Sequence, residues 1–133
     1  MTYSVRLEDF ESIGDEWERM LPQCRTNTIF LTPRWQNVWW RRFGEGRQLS
    51  ILSVRDDGDL IGIAPLMMRE GVVSFIGDKD LYDYQDFVVP EGNEETFYRT
   101  LCEHLLTLEW SSLNLSSVPQ DSSSLAHLPD MAR

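Results

Sequence analysis

Apolar positions recur along this chain at two spacings, and the switches between them mark out its elements. Tyr3 to Leu7 alternates apolar and polar residues and predicts a first strand. Phe10, Ile13, Trp17 and Met20/Leu21 then return at helical spacing, predicting an amphipathic helix over Asp9–Leu21 that stops before Pro22. Ile29-Phe30-Leu31 leads into a second helix. Thr32 can cap it, Pro33 suits its first position, and Arg41-Arg42 complement the negative end of its dipole before Gly44. Its expected buried stripe is Trp35, Val38, Trp39 and Phe43.

The period then shortens to two. Leu49–Arg55 alternates as a half-buried strand would, Asp56-Asp57-Gly58-Asp59 turns the chain, and Leu60–Met68 returns antiparallel. Pro65 has no N–H for a sheet ladder, so the return strand is expected to be bulged or at an edge there. Glu70-Gly71 turns again into a third strand, Val72–Ile76. Gln85–Val89 is apolar on both faces and predicts an interior strand. Pro90-Glu91-Gly92-Asn93 breaks the chain before a helix over Glu94–Leu108, with Asn93 as N-cap and Phe97, Leu101, Leu105 and Leu108 on one face. Ser112–Ser116 closes a strand–helix–strand unit with Gln85–Val89, which predicts a parallel pair. The sum is an α+β fold: a mixed, mostly antiparallel sheet flanked by helices in three α/β/α layers.

Length and composition add bounds. The chain has 133 residues, enough for one domain with a proper core. Its formal charge is −10, and Met1–Phe43 balances six basic residues against six acidic ones, so the excess lies beyond Phe43. With no basic patch of the required size, nucleic acid is excluded as an expected partner. Cys24 and Cys102 are far apart and lack CxxC spacing, which fits free buried thiols in a reducing compartment. Met1–Arg6 shows no leader pattern and no apolar run approaches the length of a membrane span. The expected location is the cytoplasm.

Three groups of residues carry a resemblance: Phe30-Leu31-Thr32-Pro33-Arg34-Trp35 with Trp39 and Phe43-Gly44; Asp57-Gly58-Asp59-Leu60-Ile61-Gly62-Ile63-Ala64-Pro65-Leu66; and Gly77 with Asp83-Tyr84-Gln85-Asp86. Over about residues 15–118 the chain resembles the N-terminal part of cellulose-biosynthesis-type acyltransferases of the GNAT superfamily. These are related to the peptidoglycan aminoacyl transferases built from two GNAT-like halves. The resemblance implies a GNAT-like half-domain over 1–118, followed by a Ser-rich turn and the start of a further helix or tail over 119–133. It implies transfer of an acyl group from acetyl-CoA or another acyl-CoA to an amine or hydroxyl, with a saccharide or other small molecule as acceptor. It also implies a second half or partner chain, and so a fragment that is inactive alone.

One departure matters to that reading. GNAT domains hold the acyl-CoA pyrophosphate in a Gly-rich loop between a splaying strand and the next helix, using backbone N–H groups and the helix N-terminus. The corresponding slot here, Val89-Pro90-Glu91-Gly92-Asn93-Glu94-Glu95, has one glycine, a proline and three carboxylates. No cofactor is therefore expected on this chain itself, and the alternative is a binding module that keeps the sheet without the cofactor loop.

Tyr84 and Asp86 are the candidate catalytic residues. In an extended segment they share a face, so a phenol hydroxyl beside a carboxylate could bind an amine or relay a proton. Asp83, Trp35 and Trp39 are candidate acceptor-binding residues. A structural reading stands beside this one: Asp83 ends a turn, and Asp86 pairs with Arg34 or Arg41. Asp78, Asp80 and Asp83 do not match a calcium loop, which would need Gly where Asp83 stands and Glu where Val89 stands. No Cys/His spacing suits zinc, and no metal is expected. The five tryptophans are expected mainly in the core, but Trp39 and Trp40 are neighbours, so one should leave the buried stripe.

Overall fold

A computed structural model describes residues 3–24, 31–76, 87–105 and 112–114. Strand β1 (Tyr3–Glu8) runs straight into helix α1 (Phe10–Met20). Asp9 caps α1: its carboxylate accepts the Ser12 N–H while the Ser12 hydroxyl accepts the Asp9 N–H, so two otherwise orphaned donors are satisfied reciprocally. Pro22 lies within a short 3-10 turn over Leu21–Gln23. Helix α2 (Pro33–Phe43) is capped by Thr32, whose hydroxyl accepts the Trp35 N–H at 3.2 Å, and ends at Gly44.

Strands β2 (Gln48–Asp56), β3 (Asp59–Arg69) and β4 (Val72–Phe75) form the antiparallel meander. Its loops hold Asp57-Gly58 and Glu70-Gly71, all four with φ between 51° and 95°. That left-handed backbone matches the natural strand twist and favours glycine at the second position. Helix α3 (Glu94–Leu105) and strand β5 (Ser112–Asn114) follow, giving sheet order β1-β2-β3-β4-β5 with β5 parallel to β4. Among the described residues β5 pairs with Val72–Ser74, the first part of the meander's last strand; much of the predicted pair of Gln85–Val89 with Ser112–Ser116 lies outside the described residues.

Two cores lie on opposite faces of the sheet. α3 covers Leu52, Val54, Ala64, Leu66, Val73 and Phe75 with Phe97, Tyr98 and Leu101. α1 and α2 cover Ile51, Ile63 and Met67 with Ile13, Trp17 and Trp39. β2 is consequently buried on both faces, where alternation suggested one. The stripe on α2 also differs from expectation. Pro33, Gln36 and Trp39 are buried, Trp35 and Trp40 are half-buried, and Val38 and Phe43 are exposed. Trp39 and Trp40 both reach the core because the buried face is centred between them, so neither protrudes.

The expected irregularity at Pro65 takes another form. β3 is an interior strand, and its bulge lies at Ile61, the extra residue where register passes from Val54↔Gly62 to Arg55↔Leu60. At Pro65 it is the partner strand that lapses. Ile76 N–H donates to the Pro65 carbonyl at 2.9 Å, but proline cannot return the bond. Pairing resumes two residues along β3, where Ile63 and Val88 exchange bonds of 2.8 and 2.9 Å. Ten residues, 77–86, thus stand in the sequence where a continuous strand would need none between Ile76 and Phe87. Phe87 packs edge-on against Phe75, at 4.9 Å between centroids, and so ties the two arms together.

Gly62 sits against α3, where an added Cβ would lie 2.4 Å from Phe97 Cδ1. Phe97 is fully buried and cannot swing away. Gly62→Ala is expected to cost about 1–3 kcal/mol by overpacking, read as a lower denaturation midpoint at unchanged slope.

Candidate functional site

The turn between the Phe87–Pro90 arm and α3 is built from both cores and from the chain's middle. Phe87 meets Phe97 at 5.8 Å and Tyr98 at 5.6 Å, which pins the arm beneath the helix. On its other side, Val88 is bonded to Ile63 of β3. Asn93 stands at the N-cap of α3, its carbonyl accepting the Phe97 N–H. Its side-chain amide donates to the Ile61 carbonyl at 3.2 Å, so the bulge on β3 supplies the acceptor that positions the helix start.

From Glu91 to Asn93 each N–H is engaged within the chain. Glu91 N–H donates to the Gln23 carbonyl at 3.0 Å, and Asn93 N–H to the Pro90 carbonyl at 3.1 Å. Gly92 N–H donates to Oε1 of Glu94, a side chain of the helix's own first turn. Pro90 has none to offer. Glu91 and Glu95 are exposed and Glu94 is half-buried, so three carboxylates crowd the positive end of the α3 dipole. The outer side of the arm is taken as well: Pro90 bridges antiparallel to Cys24, placing the end of the α1 segment against it.

A depression of about 260 Å³ opens beside this turn, lined by Glu16, Arg19, Met20, Gln23, Leu60, Pro90 and Asn93. Its carboxylate is already committed. Glu16 Oε1 and Oε2 accept from Arg55 at 2.9 and 3.1 Å, and those hydrogen bonds hold its pKa below the ordinary glutamate value. Arg19 Nε donates to the Asp15 carbonyl at 3.3 Å.

Of the residues singled out in the sequence, Asp78, Asp80, Asp83, Tyr84, Asp86, Leu108, Trp110 and His127 lie outside the described residues. Trp39 is 6% exposed, with the Arg47 guanidinium 5.5 Å above its ring, and has almost no surface for a ligand. Trp35 is half-buried beside it. Arg34 and Arg41 are exposed on α2. Cys24 and Cys102 are free thiols, and burial pushes the Cys102 thiol up from its ordinary pKa. Among the described residues no three His, Cys, Asp or Glu side chains converge as metal ligands would, and no helix is long and apolar enough to cross a membrane. The acidic turn is visible in the sequence, but its partners Gln23 and Ile61 are not. Neither carries a local signal, since both act through the backbone from distant parts of the chain.

A solved structure resembles this fold. Glucosamine-6-phosphate N-acetyltransferase from Arabidopsis thaliana matches with a TM-score of 0.52 at 13% identity, over 100% of this chain and 92% of that one. The fold is GNAT-like. At that identity the likeness speaks for the GNAT-like architecture, not for a shared substrate. No family model and no curated protein sequence matches the chain.

Proposed function

We propose that this GNAT-like domain supplies the acceptor side of an acyl transfer whose acyl-CoA is held elsewhere, by a second GNAT-like half or a partner chain. The observation that carries this is the turn before α3. A pyrophosphate needs uncommitted backbone N–H groups and a positive field. The turn offers Glu91, Gly92 and Asn93 N–H groups already donated, and Glu94 already seated on Gly92. It does not fit a polyanion. The GNAT-like fold and the resemblance to cellulose-biosynthesis-type acyltransferases support transfer chemistry with a small amine or hydroxyl acceptor, a saccharide among them. Tyr84 and Asp86 stand just before the pinned Phe87, and in this reading they orient the acceptor and hold its proton.

Calorimetric titration of acetyl-CoA into this chain is expected to show no binding up to millimolar ligand. Tight binding would overturn the assignment of the donor to another chain. In the assembled enzyme, Tyr84→Phe and Asp86→Asn are expected to lower kcat/KM by about 100-fold or more, the usual weight of a positioned acid–base group. Unchanged activity would remove both from the site. A second reading, a non-catalytic binding module, draws on the closing of the arm's outer side by Cys24. It expects no transferase activity in any assembly that contains the chain.

A further inference from the structure

We propose that the outer face of the α1–α2 layer docks on the same face of a second copy of this chain, with α1 of each copy across from α2 of the other. The two helices touch, lie on one face of the sheet and share one core. On α1 the buried residues are Ile13, Trp17 and Met20. Opposite them, at helical spacing, stand exposed Glu11, Asp15 and Glu18. On α2 Gln36 and Trp39 are buried, and the opposite side shows exposed Arg34, Val38, Arg41 and Arg42. No acid stands anywhere on α2. The layer thus presents an acidic stripe beside a basic one.

The stripes do not neutralise each other within one chain. Among the described residues the ion pairs are those of Arg55 with Glu8 and Glu16. Arg19, the one cation of α1, donates through Nε to the Asp15 carbonyl and lies toward Glu16, beside the depression at Pro90. Val38, 57% exposed, gives the basic stripe an apolar middle.

The order of the stripes names the occupant. An anionic lipid surface or a nucleic acid would suit the arginines but would meet Glu11, Asp15 and Glu18 beside them. A surface bearing the same two stripes in reverse order satisfies both. A two-fold axis lying between α1 and α2 supplies it, because the acids of each copy then face the arginines of the other, twice over. Setting α2 on α2, or α1 on α1, would place like charges together, so charge rejects those alignments. Charge also favours this face over the rest of the chain. Met1–Phe43 is balanced, whereas the net −10 lies beyond Phe43 and pushes two copies apart elsewhere. Helices of 11 residues are about 16 Å long, so the contact is small, and exposed ion pairs are individually weak. The expected dimer is correspondingly weak, with a Kd on the order of 100 μM, and sensitive to salt.

Sedimentation equilibrium of the chain up to about millimolar concentration, at about 0.15 M and about 1 M salt, tests this. A reversible dimer is expected, weakened about 10-fold at the higher salt, where the screening length falls to about 3 Å. Arg34→Glu with Arg41→Glu, and separately Asp15→Arg with Glu18→Arg, should each abolish self-association. All four side chains are exposed, so the circular dichroism of each variant should remain that of the folded chain. Mixed in equal amounts, the two variants should associate again, since every stripe then meets its opposite. A wild-type chain that stays monomeric overturns the proposal. So does a dimer that either reversal leaves intact, or one that the mixture fails to restore. A monomeric chain that cosediments with phosphatidylserine vesicles through Arg34 and Arg41 overturns it as well, in favour of a membrane.

Discussion

Arg55→Ala is expected to destabilise the fold by about 3–5 kcal/mol, the usual consequence of removing one partner from a buried ion pair. Arg55 rises from β2 into the α1 side of the sheet with its side chain 8% exposed. Its guanidinium reaches Glu8 at 3.0 Å and both carboxylate oxygens of Glu16, and also donates to the Gly58 carbonyl at 3.2 Å. Glu8 is 10% exposed and also accepts from Ser53 Oγ at 2.8 Å and Ser12 Oγ at 3.0 Å. Without Arg55 a carboxylate is left buried beside two hydroxyls that cannot neutralise it. Adding Glu8→Gln to the Arg55 variant should therefore recover part of the loss, a non-additivity readable from chemical denaturation of the two singles and the double.

The same network sets a pH dependence. Burial alone would raise the Glu8 pKa, but the hydrogen bonds from Arg55, Ser53 and Ser12 outweigh it and leave the value lowered. Glu16 is lowered chiefly by its bonds to Arg55. Groups with depressed folded values stabilise above their unfolded value and lose that contribution as pH falls through the folded one. Stability is thus expected to hold above the ordinary glutamate value of 4.5 and to decline below it, with a shallower decline in Glu16→Gln.

Trp17→Ala is the second large effect expected, again about 3–5 kcal/mol. Trp17 is fully buried at the centre of the α1–α2 core, stacked on Phe10 at 6.1 Å. Its indole Nε1 donates to the Leu31 carbonyl at 2.8 Å. Leu31 is itself fully buried and immediately precedes the Thr32 cap, so one indole fixes where α2 begins relative to α1. Trp17→Phe keeps most of the ring and loses the donor, and an orphaned buried carbonyl costs about 1–3 kcal/mol. Thermal and urea melts of both variants should rank Ala below Phe below wild type. Equal stability of Phe and wild type would show that water replaces the lost donor.

Elements governed by neighbours in sequence were legible; those governed by distant partners were not. The Asp57-Gly58 hairpin and the Thr32-Pro33 helix start follow from the backbone demands of single residues, and both stand where expected. Apolar spacing marked α2 as amphipathic, yet it could not say that Gln36 faces the sheet and Val38 does not, because the sheet selects the face. Arg55 looked like the polar end of a half-buried strand. Its carboxylate partners lie 39 and 47 positions away, beyond any local pattern. In the candidate site the proline and the acids of the turn were visible as letters. That Gln23 and Glu94 take its N–H groups emerged only from the three-dimensional arrangement.

The unanswered rung at Pro65 bears on how such a chain can change over time. Because that rung already lacks one bond, opening the neighbouring strand there sacrifices little that was not already missing. Lengthening a connection between two fixed clamps is also cheap, about 0.6 kcal/mol for each doubling. The clamps here are Ile76 on Pro65 and Val88 on Ile63. Residues 77–86, with Asp83, Tyr84 and Asp86 among them, are therefore attached at a joint where the number and kind of residues can drift while the sheet on either side keeps its register. Under the proposed function, selection could reshape what this domain recognises without renegotiating how it folds.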